Sequence, residues 1–215
     1  MEKAKNYLVR TYGRRHGKSL SARQQRLVDD LLPTLMPRAD DAAAAAILEI
    51  GFGAGEHLMA LAGQYPDKII IGAEPFINGV AQLLSKIADE NGAVFPQYKN
   101  IRIFPDDVRN LISAFDFQFS DIYILHPDPW PKARHEKRRL CSAEFLKRIS
   151  ALLSQGGKII IGTDHTDYYN WILDEAARAN LGVKTGGIDV IKTRYQEKNM
   201  FGSSKTMYLA LMPKA

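Results

Sequence analysis

Acids recur in this 215-residue chain at one kind of place, at or just after the end of a short apolar run. Glu49 belongs to ILEI (47–50), Glu74 follows KIIIG (68–72), Asp106 and Asp107 follow NIRIF (100–104), Asp128 follows DIYIL (121–125), and Asp164 follows GKIIIG (157–162). If these runs are strands of one sheet, the acids gather along a single edge, where their charges need cations or hydrogen-bond donors. The first acid opens Glu49-Ile50-Gly51-Phe52-Gly53-Ala54-Gly55. A glycine-rich turn after a strand suits a nucleotide-like ligand, and the spacing narrows the choice: the dinucleotide fingerprint GxGxxG requires a glycine where this chain has Glu56. An acid two residues before three alternating glycines suits S-adenosylmethionine instead, which presents an ammonium, a carboxylate, a ribose diol and an adenine but no pyrophosphate. Gly51 and Gly53 would let the backbone pass close to the methionyl portion, and Glu49 would receive the ammonium directly or through water. Glu74 would accept the ribose hydroxyls. Asp106 would take the adenine amino group; spacing alone does not separate it from Asp107, and Asp106 is preferred.

A second constellation is HPDPWPKARHEKRR at 126–139. Pro127 and Pro129 restrict the backbone and hold Asp128 and Trp130 outward from the strand end. Methyltransferases of exocyclic amines carry an Asn/Asp-Pro-Pro-aromatic stretch at this place, whereas here an acid lies between the prolines. His126, His135 and His165 match no ligand spacing, and no metal is expected.

These groups need a scaffold. Apolar runs alternating with helical patterns are the signature of stacked β-α-β units, and KTMYLALM at 205–212 reads as a last, antiparallel strand closing the sheet. In such sheets ligands bind beyond the carboxyl ends of the strands, where the acids lie. Residues 1–20 read as a basic, mobile arm and residues 21–215 as one domain. Ser21 caps a short helix that should run through Leu32 and stop at Pro33. The charge is unevenly placed: residues 1–26 hold eight Lys and Arg against Glu2 alone, and residues 132–148 hold seven against Glu136 and Glu144. With a net charge of +5, the remainder is acidic, so two basic blocks point to a polyanionic partner. No apolar run approaches the ~18–20 residues of a membrane span. The basic start MEKAKNYLVR lacks the apolar core of a secretory signal, and the single cysteine, Cys141, rules out an internal disulfide. A cytoplasmic protein with no membrane association and no obligatory protein partner is expected.

Taken together, RTYGRRHGKSLSARQQ, LEIGFGAGEH, IGAEPF, PDPWPKARHEKRR, GTDH and TRYQEK resemble the bacterial tRNA (guanine-N7-)-methyltransferases over nearly the whole chain. The resemblance implies the class I S-adenosylmethionine-dependent methyltransferase fold, a Rossmann-like, mostly parallel seven-stranded sheet with helices on both faces. It implies S-adenosylmethionine as donor and tRNA as partner, with 7-methylguanosine formed at variable-loop position 46. Donor contacts fall on Glu49, Glu74 and Asp106, with Asp128 facing both donor and acceptor as the catalytic residue. The tRNA contacts fall on Lys132, Asp164, Thr193, Arg194, Tyr195 and Gln196. The family pattern places a glutamate where this chain has Gln196; either Gln196 serves as an acceptor or Glu197 takes the role, and Gln196 is preferred.

The chemistry is consistent with that implication. Guanine N7 is a lone-pair acceptor with no proton to lose, so its methylation needs no general base. One carboxylate, that of Asp128, can accept from both N1–H and the N2 amino group, selecting guanine and stabilising the charge that develops on the purine. Trp130 could stack on an extruded base, and Lys132, Arg134, Arg138 and Arg139 could hold phosphates. Asp164 is either a second base-orienting acid or the N-cap of a helix beginning near Thr166. A small-molecule or protein methyltransferase would not need the two basic blocks, and a non-catalytic tRNA-binding module would not need the donor acids.

Overall fold

The computed structural model describes residues 12–43, 45–191 and 205–214. Seven strands form one sheet: β1 (Ala46–Ile50), β2 (Ile69–Ala73), β3 (Ile101–Phe104), β4 (Phe119–Leu125), β5 (Leu153–Thr163), β6 (Leu181–Thr185) and β7 (Met207–Pro213). Their order is β3-β2-β1-β4-β5-β7-β6, and β7 runs antiparallel to both neighbours while the remaining pairs are parallel. The order reverses between β1 and β4, so a crevice opens beyond their carboxyl ends. Strand β6 carries no apolar run because in LGVKT only Leu181 is buried, whereas the other edge strand, β3, buries Ile101 and Ile103.

Alternation along the central strands feeds two cores. Ala46, Leu48 and Ile50 of β1 face α4 (Val108–Ala114), α5 (Ala143–Ser150) and α6 (Thr166–Arg178), meeting Leu111, Phe145, Leu146, Tyr168 and Ile172. Ile47 faces α2 (Glu56–Gln64) and α3 (Ile77–Ile87), meeting Leu58, Leu61, Leu83 and Leu84. The N-terminal helix α1 (Ala22–Arg26) begins in a capping box, with Ser21 Oγ accepting from Gln24 N–H and the Gln24 side chain accepting from Ser21 N–H. The helical path does not stop at Pro33. It continues through a π turn at Leu27–Leu31 and a 3-10 turn at Leu32–Leu35. Pro33 sits in the first turn of the latter, where its missing N–H costs nothing, and Leu27, Leu32 and Leu35 are buried against the α2/α3 face.

Residues 12–20 adopt no regular secondary structure, yet hydrogen bonds tie them to the start of α3. Ile77 N–H donates to Arg15 O (3.1 Å), Gly17 N–H to Asn78 Oδ1 (2.7 Å), and Asn78 Nδ2 to Lys18 O (2.6 Å). This part of the basic segment thus crosses the carboxyl edge of the sheet. Among the described residues no helix is long and apolar enough to cross a membrane.

Candidate active site

A cavity of about 750 Å³ opens at the β1/β4 crevice, lined by Ile50, Gly51, Glu74, Asp107, Asp128 and Trp130 with Tyr12 and Arg14 from the N-terminal segment. Its volume is that of a site for a nucleoside-sized ligand. Gly51 (φ 76°) and Gly53 (φ 56°) occupy the left-handed region, and a Cβ built on either would meet no protein atom within 4 Å, so the turn leaves room above its backbone. Below the turn the fit is tight. Gly79 at the start of α3 approaches so closely that a Cβ there would lie 2.4 Å from Gly53 O, a requirement with no local signature in the sequence.

Glu74 is buried, and its two oxygens accept from Gly53 N–H and Phe76 N–H, each at 2.8 Å. Each oxygen keeps a further lone pair at the cavity wall, the acceptor set a ribose diol needs. Burial pushes the Glu74 carboxyl pKa up, the two N–H donors pull it down, and the nearby charges of Glu49 and Asp128 push it up again. Glu49, expected to receive the ammonium directly or through water, is set back from the cavity. It points to the α2 side of β1, is 3% exposed, and does not line the cavity. Its Oε2 lies 3.2 Å from His57 Nδ1, at ion-pair distance though not aligned as a hydrogen bond. Strand alternation decides this, because Leu48 and Ile50 take the opposite face.

Of the two candidates for the adenine amino group, the preferred Asp106 does not line the cavity. Asp106 is turned outward, paired with Arg15 and accepting from Asn110 Nδ2 at 2.8 Å. The cavity is lined instead by Asp107, which caps α4 through Arg109 N–H (3.0 Å) and is 2.7 Å from Arg109 Nη2.

The loop after β4 is strained. His126 (φ 51°) and Trp130 (φ 41°) are non-glycine residues in the left-handed region, conformations that persist where surrounding contacts enforce them and that cluster at functional sites. His126 N–H donates to Gly162 O at 2.7 Å. Asp128 is exposed in the cavity and, among the described residues, makes neither an ion pair nor a hydrogen bond. Trp130 is half-buried and lines the same cavity. Asp164 Oδ1 is 4.0 Å from His126 Nδ1. Of its two readings, the helix cap falls away, since His165 is the N-cap of α6 and its Nδ1 accepts from Tyr168 N–H.

The basic segment divides by role. Arg134 and Lys137 are exposed on a 3-10 turn at Ala133–Arg138, and Lys132 is exposed directly before it. Arg139 is not available to phosphates. It is 8% exposed, donates from Nε to Pro129 O at 2.9 Å, and lies 5.1 Å from the Trp171 ring centre and 5.4 Å from that of Tyr168. It anchors the loop to α6. Arg139→Ala should therefore destabilise the protein by about 2 kcal/mol or more in urea unfolding, whereas Lys132→Ala should stay within about 0.5 kcal/mol. Equal effects would refute the division. Thr193, Arg194, Tyr195, Gln196 and Glu197 lie outside the described residues. No His/Cys/Asp/Glu group suited to a metal ion occurs among the described residues.

A family model described as "Putative methyltransferase" matches residues 43–196. A protein of Sphingopyxis alaskensis named tRNA (guanine-N(7)-)-methyltransferase is 41% identical over 215 residues, covering 89% of each chain. Proteins of the same name from Novosphingobium aromaticivorans and Caulobacter vibrioides are 39% and 36% identical, covering 88% and 89% of this chain and 87% and 90% of theirs. Among solved structures, the 16S rRNA methyltransferase KamB (TM-score 0.52, 14% identity, 86% of this chain and 93% of that one) and the antibiotic-resistance methyltransferase Kmr (TM-score 0.55, 16% identity, 82% and 91%) share the fold. The sheet is therefore that of the class I S-adenosylmethionine-dependent methyltransferases.

Proposed function

The chain belongs to the tRNA (guanine-N(7)-)-methyltransferase family, and we propose that it methylates N7 of a guanosine in tRNA, at variable-loop position 46, using S-adenosylmethionine. The observation that carries this reading is the position of Asp128: a carboxylate held in the cavity by a strained loop, facing the Glu74 wall and followed directly by exposed cations. Glu74 would hold the ribose diol and Asp107 the adenine amino group, with Gly51 and Gly53 passing beneath the methionyl chain. Glu49 would act from under the turn, adding negative charge near the donor ammonium. When bound, S-adenosylmethionine supplies a methyl group on a cationic sulfur, which the N7 lone pair takes as the carbon–sulfur bond breaks, leaving a neutral thioether and a cationic purine.

The chain's own residues orient and stabilise. Asp128 accepts from N1–H and the N2 amino group, which places N7 and offsets the positive charge the purine acquires. No residue has to remove a proton. Lys132, Arg134 and Lys137, with Arg14 and Lys18 of the N-terminal segment, offer an exposed basic border for the phosphates. Asp164, Thr193, Arg194, Tyr195 and Gln196 complete the tRNA contacts in this reading.

The direct experiment is transfer of label from the donor to unmodified tRNA, with nucleoside analysis of the digest and cleavage mapping of the modified position. 7-Methylguanosine in the variable loop is the expected product. Label in an exocyclic amine, in protein or in small molecules would overturn the proposal. Replacing Lys132, Arg134 and Lys137 together by alanine should flatten the salt dependence of tRNA binding by up to about one unit of log–log slope per lost phosphate contact, with donor affinity unchanged. An unchanged slope would remove these cations from the interface.

A further inference from the structure

At the acceptor end of the cavity the protein holds a flat cation of its own. The Arg138 guanidinium carbon lies 4.9 Å from the centre of the Trp130 ring and 5.4 Å from that of Tyr12. All three side chains line the cavity, yet the two rings come from segments far apart in the sequence, one from the N-terminal segment and the other from the loop after β4. His135 closes the edge of Trp130 in a T-shaped contact at 5.7 Å. The arrangement has costs. Among the described residues, Arg138 Nε is buried without a hydrogen-bond partner, and Trp130 holds a left-handed backbone; both are unfavourable for a stack whose only task is to cover the surface.

We propose that Tyr12 and Trp130 form an aromatic slot for the target purine, that Arg138 fills this slot in the free protein, and that the slot favours the N7-methylated, cationic form of the base. The inference rests on the guanosine-N7 reading above. A purine methylated at N7 is, like a guanidinium, a planar delocalised cation, and two electron-rich rings that retain one will attract the other. Entry of the base expels Arg138, whose unpaired Nε–H and fork of donors then find an acceptor in a phosphate of the same RNA. Backbone binding and base insertion are thereby coupled through one side chain. Tyr12 becomes a residue that discriminates the charged purine from the neutral one, and it does so from the N-terminal segment, not from the methyltransferase sheet.

The test is calorimetric binding of the free nucleosides guanosine and 7-methylguanosine at mildly acidic pH, where the methylated base keeps its N1 proton and its charge. No phosphate is present to draw on Arg138. The wild-type protein should bind 7-methylguanosine at least threefold more tightly than guanosine. Arg138→Ala should bind 7-methylguanosine three- to tenfold more tightly than wild type, because the occupant is gone, and Arg138→Lys should fall between them. Tyr12→Ala should bring the ratio of the two nucleosides close to one, while Tyr12→Phe keeps it within twofold of wild type. Unchanged donor affinity serves as the check of folding for each variant. Loss of nucleoside affinity in Arg138→Ala would overturn the proposal by making Arg138 a ligand of the base. An unchanged ratio in Tyr12→Ala, or no binding of 7-methylguanosine to Arg138→Ala, would overturn it equally. Wild-type methylation of tRNA at N7 is scored separately, so a flat nucleoside ratio with normal tRNA methylation removes the slot alone, whereas absent N7 methylation removes the functional reading.

Discussion

Asp128→Ala should lower the single-turnover rate of tRNA methylation by about 10²- to 10⁴-fold while leaving donor affinity within about threefold of wild type. Asp128 is offered to the cavity without a protein partner among the described residues, on a loop whose strain holds it there. Two hydrogen bonds from guanine to a carboxylate contribute about 1.5–3 kcal/mol each, and every 1.36 kcal/mol is a factor of ten in rate. Both bonds strengthen as the purine becomes cationic, so the loss falls on the chemical step and not on donor binding. Asp128→Asn should be intermediate, since an amide oxygen still accepts but carries no charge. A near-normal single-turnover rate for Asp128→Ala, measured with saturating donor and excess enzyme, would end the assignment.

Glu74→Ala should weaken donor binding by about 1–3 kcal/mol, the scale of lost charge-assisted hydrogen bonds, which is roughly 5- to 150-fold in dissociation constant. The alanine variant also leaves Gly53 N–H and Phe76 N–H without their acceptor, so Glu74→Gln is the sharper comparison. One oxygen remains in the glutamine, and only part of the affinity should go. Burial raises the Glu74 pKa above the ordinary carboxylate value, which gives a pH signature. Donor affinity in the wild type should fall as the pH drops through that raised value, because the carboxylate is the form that accepts both hydroxyls. In the donor-free protein the sign reverses: a raised carboxyl pKa means a stability contribution present at low pH and lost as the pH rises and the group ionises. Isothermal titration across this range should show the donor effect in wild type and none in Glu74→Gln; the same pH dependence in both would assign it to another group.

The layout of the molecule was largely legible before the structure. Apolar runs at 47–50, 68–72, 121–125, 157–162 and 205–212 mark interior strands, because a buried interior strand is apolar on both faces and little else in a chain looks like that, and 100–104 marks the edge strand β3, whose Ile101 and Ile103 are buried in alternation. The glycine turn, Glu74 and the loop carrying Asp128 and Trp130 were legible for a related reason: each depends on residues adjacent in the chain to the end of a strand. Strand β6 was not, since an edge strand with one buried residue carries no such constraint.

What the sequence could not decide was where side chains point and what meets them. Whether Glu49 reaches the cavity depends on which face of β1 it occupies and on His57 in α2 lying across from it. The choice between Asp106 and Asp107 depends on Arg15, some ninety residues earlier, drawing Asp106 outward. Arg139 looks like its neighbours in a basic run and becomes an anchor only because Tyr168 and Trp171 of α6 come to lie beside it. Gly79 is required by the backbone of Gly53, and Tyr12 reaches the cavity only because Asn78 and Ile77 fasten the segment that carries it. Strand pattern and turn chemistry act over a few residues and can be read in order along the chain. Facing, pairing and burial are settled between segments far apart in sequence, by packing that comes into being only when the sheet closes against its helices.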